Sequence, residues 1–278
     1  MAATAEEVRR RFNVRELGGA GPPMLLAHGF GCDQGMWRAV APRLVDRFRV
    51  ILFDNLGAGG SDLAAYDPRR HASLDGYADD LLAICEGLEL RDVVFVGHSV
   101  SAMIGLLAAI RAPARFARLV MIGPSPCYLN DGDYRGGFDR AALDELLELM
   151  DANFLGWSAQ LAPLIMGNPD RPDLGELLTE SFCRSDPDIA QQFARVTFLS
   201  DNRADLARLT TPALILQCAE DIVAPDVVGD YLHAHLRGSE IVRLRATGHC
   251  PQVSHPEEVV AVLRDRLVPR DLGARHAA

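Results

Sequence analysis

Lysine is missing from this sequence: all 28 basic residues of the 278-residue chain are arginine. The absence excludes a lysine Schiff base, a pyridoxal-phosphate anchor and the lysine of a phosphate-binding P-loop. Positive charge is also scarce, because 38 acidic residues leave a formal net charge of −10. Such a charge repels the phosphates of nucleic acids and of anionic lipids. We therefore expect no nucleic-acid partner and no membrane partner.

Long apolar runs and paired cysteines are lacking too. No window contains the roughly 18 apolar residues of a membrane helix, and the basic N-terminus lacks the apolar stretch of a signal peptide. The six cysteines form no C-x-x-C pair, which favours reduced, mostly buried thiols. No His, Asp or Glu cluster has the spacing of metal ligands. We predict a cytoplasmic protein without a metal or other cofactor.

What the sequence does contain is a series of short apolar runs separated by helical patterns. The runs are continuous, which is typical of parallel strands covered on both faces. They lie at residues 24–28, 50–54, 93–97, 119–123, 213–217 and 240–244. Helical periodicity at 74–88 and 100–111 indicates βαβ units with right-handed crossovers.

Between residues 136 and 200 the patterns are helical and no strand is evident. A helical block between two strands of one sheet predicts a cap over the edge of that sheet. We divide the chain into a core at 1–124 and 201–270, a helical cap at 125–200 and a frayed tail at 271–278. The glycine-rich run 57–62 lacks the third glycine of a dinucleotide fingerprint, so it predicts no nucleotide site.

The strongest chemical signal is the turn Gly97-His-Ser-Val-Ser101, which joins an apolar strand to a helix. It is the pattern of a nucleophile elbow, where a tight turn exposes one serine hydroxyl at the carboxyl end of a strand. Ser99 is the predicted nucleophile. Ser101 replaces the usual last glycine but is small enough for that crowded corner. The alternative is that Ser99 only caps the helix.

A serine hydroxyl is a weak nucleophile unless a base removes its proton. His249 follows the last predicted strand, where a sheet delivers a side chain over its carboxyl edge, and is the predicted base. His233 and His235 fall within a helical pattern. His255 is expected to cap the final helix.

The acid that orients the base is expected after the preceding strand, where the sequence offers Glu220 and Asp221. Either carboxylate could hold the imidazole and stabilise its protonated form. Asp54 also ends a predicted strand, but we expect it to brace the turn at 55–62.

Acyl transfer also needs N–H donors for the negative oxygen that forms. The elbow itself supplies the N–H of Val100. The second candidate is the N–H of Phe30, since Gly29 and Gly31 would let that loop curl inward. His28, which precedes them, is expected to brace the turn.

Taken together, these motifs resemble the α/β-hydrolase superfamily. Within it, the segment Gly97-His-Ser-Val-Ser-Ala-Met-Ile-Gly105 is similar to the RsbQ-type branch, which includes bacterial energy-stress regulators and plant karrikin and strigolactone receptors. The stretches 28–37, 54–62, 125–131, 136–138 and 248–252 also agree. The resemblance implies an α/β-hydrolase fold, a mostly parallel sheet flanked by helices, with an inserted four-helix, V-shaped cap.

The resemblance also implies roles for particular residues. It assigns the triad to Ser99, Asp221 and His249, and the oxyanion donors to Phe30 and Val100. The positions that correspond to the wall of the family's apolar pocket are Phe30, Tyr128, Phe138, Leu146, Leu161 and Phe198. From the sequence alone, side chains of these types are more often plain core.

Two functions follow. The first is a serine hydrolase acting on a small hydrophobic ester or lactone, since the net charge and the apolar cap disfavour a polyanion. The second, implied by the resemblance, is a ligand sensor with little turnover. Its cap would activate a PAS-linked serine/threonine phosphatase in a stress response.

Overall fold

The computed structural model describes residues 4–267, so the predicted tail at 271–278 lies outside the described residues. One sheet holds the strands β1 (Arg15–Gly18), β2 (Pro23–Ala27), β3 (Arg49–Leu52), β4 (Val93–His98), β5 (Phe116–Ile122), β6 (Ala213–Gln217) and β7 (Glu240–Arg243). Their spatial order is β1-β3-β2-β4-β5-β6-β7. All neighbours pair in parallel except β1 with β3. This is the mostly parallel sheet that the sequence predicts.

The six predicted strands are all present, with ends that differ by at most three residues from the prediction. Strand β1 was not predicted. Its sequence Arg-Glu-Leu-Gly is largely exposed, because an edge strand needs no apolar face on either side. Charged residues in such a strand also discourage pairing with another chain.

Helices cover both faces of the sheet. The helices outside the 136–200 block are α1 (Ala5–Arg11), α2 (Leu74–Gly87), α3 (Val100–Arg111), α8 (Asp226–His235), α9 (Pro251–Ser254) and α10 (Pro256–Arg266). Alternate residues of β4 enter two separate cores: Val94 and Val96 belong to one, and Val93 and Phe95 to the other. Both faces are therefore buried, which explains the continuous apolar runs.

Four helices lie between β5 and β6: α4 (Arg140–Ala152), α5 (Phe154–Met166), α6 (Pro172–Cys183) and α7 (Pro187–Phe198). We call them the helical insert. Helix α4 buries Leu143, Leu147 and Met150, which lie on one face at helical spacing. Among residues 4–267, no helix is both apolar enough and long enough to cross a bilayer.

Two glycines allow the insert to sit close to the core. A Cβ on Gly31 would lie 1.7 Å from the ring of Phe182 in α6, and one on Gly57 would lie 2.3 Å from Ile189 in α7. Both glycines have positive φ, 69° and 89°. The insert therefore packs directly on loops at the carboxyl edge of the sheet.

Candidate active site

The turn after β4 has the geometry of a nucleophile elbow. Ser99 has φ 55° and ψ −125°, a conformation that is rare for a residue with a side chain. Its N–H donates to the carbonyl oxygen of Ile122 at 2.8 Å. A Cβ on Gly97 would lie 2.5 Å from the carbonyl oxygen of Ser101, so that position has no room for a side chain. The side chain of Ser99 makes no cap hydrogen bond, so the capping alternative is wrong.

Three buried side chains meet at this turn. Nε2 of His249 lies 2.7 Å from Oγ of Ser99, and Nδ1 of His249 lies 2.7 Å from Oδ2 of Asp221. A carboxylate only accepts hydrogen bonds, so Nδ1 carries the proton and Nε2 is free to accept the proton of the serine hydroxyl. The arrangement can pull a proton from Ser99 and hold the resulting imidazolium beside a carboxylate.

The loop after β6 holds the carboxylate of Asp221 through the oxygen that does not face His249. Oδ1 accepts from the N–H groups of Val223 and Ala224, at 2.8 and 3.0 Å. Glu220, the other candidate, is exposed, and only its backbone carbonyl takes part, accepting from Gly248 N–H at 2.7 Å. The structure therefore brings Asp221, and not Glu220, to the imidazole.

His98 supports the base from the elbow, a role that the sequence analysis missed. Its Nε2 donates to the carbonyl oxygen of His249 at 2.8 Å, and the two rings lie 4.9 Å apart. Burial and the neighbouring His249 hold the pKa of His98 well below its usual value of 6.5. His98 is thus a neutral donor. The signal was its place beside Ser99 in the elbow motif.

The segments that carry the two predicted oxyanion donors meet at the elbow. Val100 is the first residue of α3, so its N–H has no carbonyl of its own helix to bond. The loop of Phe30 lies against the elbow, because a Cβ on Gly29 would stand 3.2 Å from Cβ of Ser99. The ring of Phe30 points under the insert, 5.6 Å from the ring of Phe182.

His28 and Asp54 brace turns, as predicted. Nε2 of His28 accepts from Asn55 N–H at 3.0 Å. The carboxylate of Asp54 accepts from the N–H groups of Gln34 and Gly60, at 2.8 and 2.9 Å. Neither side chain contacts the three residues that meet at the elbow.

Within residues 4–267, the other histidines that follow the elbow belong to α8 or adjoin α10. His233 and His235 belong to the last turn of α8, as the helical pattern predicts. His255 occupies the N-cap position of α10, but its side chain makes no cap hydrogen bond. Its Nδ1 lies instead 2.9 Å from Oγ of Ser254, so the predicted capping by this side chain is wrong.

A cavity of about 30 Å³ adjoins Ser99. Of the predicted wall residues, it is lined by Phe30, Tyr128 and Phe198. The hydroxyl of Tyr128 lies 3.5 Å from Oγ of Ser99, and burial raises the pKa of this phenol to about 12. Tyr128 is therefore a protonated phenol beside the nucleophile at neutral pH.

The other predicted wall residues, Phe138, Leu146 and Leu161, do not line this cavity. They are partly buried against the hydrophobic core, and the ring of Phe138 packs 6.0 Å from that of Phe198. The wall instead includes residues that the sequence analysis did not single out: Cys32, Ile165, Leu178, Phe182, Val223 and Cys250. Their elements are distant in sequence, so no local pattern marks them.

Metal binding finds no support in this region. Within residues 4–267, no group of three or more His, Cys, Asp or Glu side chains is arranged to hold a metal ion. The chemistry available here is that of a serine, an imidazole, a carboxylate and backbone N–H groups.

Known proteins share this architecture. The model of the Alpha/beta hydrolase family matches residues 24–262. The chain is 42% identical to Karrikin insensitive 2 receptor CA of Petunia hybrida, over 92% of this chain and 95% of that protein. It is 39% identical to Strigolactone esterase D14 of Arabidopsis thaliana, over 93% and 96%.

Solved structures agree. A hydrolase from Oleispira antarctica superposes with a TM-score of 0.93 at 42% identity, covering 96% of this chain and 98% of that one. With the sheet order and the elbow described above, these matches lead to one conclusion. The chain belongs to the alpha/beta hydrolase family.

Proposed function

We propose that this protein is a serine hydrolase that cleaves small hydrophobic esters or lactones, with Ser99, His249 and Asp221 as its catalytic triad. The observation that carries the proposal is the pair of 2.7 Å contacts that link Asp221 through His249 to Ser99. In this proposal residues 125–200 form the cap and the rest of the fold forms the core.

The reaction has two halves. Oγ of Ser99 bonds to the acyl carbon while its proton passes to Nε2 of His249, and the N–H groups of Val100 and Phe30 donate to the negative oxygen. The bond from the acyl carbon to the leaving oxygen then breaks, and that oxygen takes the proton from His249. Water attacks the acyl-enzyme in the same way, releasing the carboxylic acid and restoring the Ser99 hydroxyl.

The surroundings of Ser99 favour an uncharged substrate. Apart from the triad, the cavity wall consists mainly of aromatic and aliphatic side chains and neutral thiols. Such a site gains from burial of apolar surface and gives no partner to a charged group. The esterase name of the Arabidopsis thaliana relative also supports ester hydrolysis.

The test compares hydrolysis of p-nitrophenyl acetate by the protein and by its Ser99→Ala variant. Loss of the nucleophile is expected to lower kcat by about 10⁴-fold or more. Equal rates in the two proteins would refute the triad. A fluorophosphonate probe should add its mass to the protein once and leave the variant unmodified, as measured by intact-mass spectrometry.

A second candidate is a sensor of the RsbQ type, acting through the same site. The receptor name of a relative that is 42% identical over 92% of this chain favours it. In this version, ligand turnover would be slow and the reshaped cap would activate a PAS-linked serine/threonine phosphatase. Such a phosphatase should co-purify with the protein and gain activity when ligand is added. A plain enzyme would have no such partner.

A further inference from the structure

A second cavity, of about 150 Å³, lies beside the cavity at Ser99. The two share three wall residues, Cys32, Leu178 and Cys250. We call the second cavity the side pocket. Its other apolar walls include Leu177 and Met166. The polar part of its wall consists of Asp33 and Arg184, which form an ion pair of 3.0 Å, together with Arg38, Glu180 and Ser181.

The volumes show why the side pocket matters for an ester. The cavity at Ser99, about 30 Å³, is far below the roughly 300 Å³ at which ligand sites begin. It has room for only one or two small groups beside the reacting carbonyl. A longer substituent needs further space, and the side pocket behind the shared wall has five times the volume.

The shared wall consists of small or adaptable side chains. Cys32 and Cys250 are buried free thiols, and burial raises the pKa of Cys32 to about 12. Both therefore remain neutral and act as small apolar groups. Leu178 is the one bulky member, and a change of its rotamer would connect the two cavities.

Helix α6 carries both sides of this wall. Leu178 and Phe182, one turn apart, line the cavity at Ser99. Leu177 and Ser181, also one turn apart, lie on a neighbouring face and line the side pocket, as does Arg184 just beyond the end of α6. The apolar part of the side pocket thus lies next to Cys32 and Cys250. The ion pair between Asp33 and Arg184 lies in the polar part of the pocket.

We propose that the side pocket receives an unbranched alkyl tail of the ester whose carbonyl is attacked by Ser99. A volume of about 150 Å³ has room for a short tail of several carbon atoms. This inference rests on the proposed hydrolase function. It assigns that function to linear alkyl esters of medium length, with the tail on either the acyl or the alkoxy side.

The test is the ratio of kcat/KM for p-nitrophenyl hexanoate to kcat/KM for p-nitrophenyl acetate. Leu177→Trp fills the side pocket from α6 and is expected to lower the ratio roughly tenfold. Leu178→Ala removes most of the bulky side chain from the shared wall and should raise the ratio severalfold. Leu155→Trp, the same substitution at an exposed site of the insert, should leave it as it is.

A parallel series with hexyl acetate and ethyl acetate distinguishes a tail on the alkoxy side from one on the acyl side. A drop caused by Leu177→Trp in either series supports the proposal. Identical ratios for Leu177→Trp and Leu155→Trp in both series, with turnover of the acetates intact, would overturn it.

Failure of the hydrolase function would have a different signature, since wild-type protein would then leave p-nitrophenyl acetate intact. The pocket is tested independently by calorimetric titration of the Ser99→Ala protein with 2-octanone, a ketone that cannot be hydrolysed. We expect 2-octanone to bind more tightly than acetone and Leu177→Trp to weaken it. Binding of 2-octanone that Leu177→Trp leaves unchanged would rule the side pocket out.

Discussion

The core loops that carry the proposed triad and the helical insert are held by different combinations of contacts. In the core loops, backbone hydrogen bonds fix each position: Ser99 N–H to Ile122, and Gly248 N–H to Glu220, at 2.8 and 2.7 Å. The insert meets the core partly through hydrogen bonds, since the N–H of His249 donates to the carbonyl oxygen of Ile165 in α5 at 2.8 Å, and partly through apolar packing, as where Phe182 covers Gly31. Hydrogen bonds fix direction and distance, whereas apolar packing tolerates shifts. In our proposal the core supplies the chemistry, and the insert, whose helices line part of the cavity at Ser99, helps to choose the substrate.

The Asp221→Asn substitution tests whether the core loops carry the chemistry, and its expected effect is the largest. An amide in place of the carboxylate cannot favour the His249 tautomer that accepts the serine proton, so kcat for p-nitrophenyl acetate should fall by about 10⁴-fold. The melting temperature should change little, because the side chain keeps its shape. Glu220→Gln is the control and should retain the wild-type rate. A similar loss in both variants would contradict the assignment of the acid.

Gly31→Ala breaks the contact between core and insert. The new Cβ would lie 1.7 Å from the buried ring of Phe182, so we expect a loss of about 3 kcal/mol in the free energy of unfolding. Gly132→Ala is the matched control, since Gly132 also has positive φ but nothing within 4 Å of the added atom. It should cost only the backbone strain, about 1 kcal/mol. Equal losses in urea unfolding would show that the insert does not press on this loop.

The pH dependence of the free energy of unfolding tests the state of His98 in the core loops, and its expected effect is smaller. Burial holds the pKa of His98 below 6.5 in the folded protein. Below pH 6.5, His98 therefore binds a proton in the unfolded chain that it does not bind in the folded chain. Stability from this group is therefore complete above pH 6.5 and is lost as the pH falls, by up to about 1.4 kcal/mol per pH unit.

The measurement is urea unfolding at pH 7 and at pH 5, for the wild type and for His98→Gln. The amide of glutamine can still donate to the carbonyl of His249 but does not titrate. The variant should lose about 2 kcal/mol less than the wild type between the two pH values. The same loss in both proteins would mean that His98 is protonated in the folded state.

Much of the core side could be predicted from sequence, because its signals are local. Six of the strands are continuous apolar runs. The elbow is a run of five consecutive residues, in which position 97 must be a glycine because its backbone lies against Ser101. The edge strand β1 was missed because it is exposed and carries no apolar run. The choice between Glu220 and Asp221 could not be made from the residues alone, since neighbours in a loop point in different directions.

The insert side was less predictable. Its helices follow from their apolar periodicity, but the wall of the cavity does not. Phe138, Leu146 and Leu161 lie outside that wall, whereas Cys32, Leu178 and Cys250 belong to it. Each wall residue is apolar in a chain full of apolar residues, so only its neighbours in space distinguish it from ordinary core.

The order of strands and helices, the elbow and the positions of the histidines could all be read from residues that are adjacent in the chain. Backbone conformation and burial periodicity are local properties, so short segments carry them. The junction of Ser99, Asp221 and His249 within hydrogen-bond distance, the two cavities and the thiol wall between them were decided by tertiary structure alone. They depend on packing between segments that are distant in the chain: Asp221 and His249 are 28 residues apart, and α6 contacts the loop of Gly31 across 150 residues.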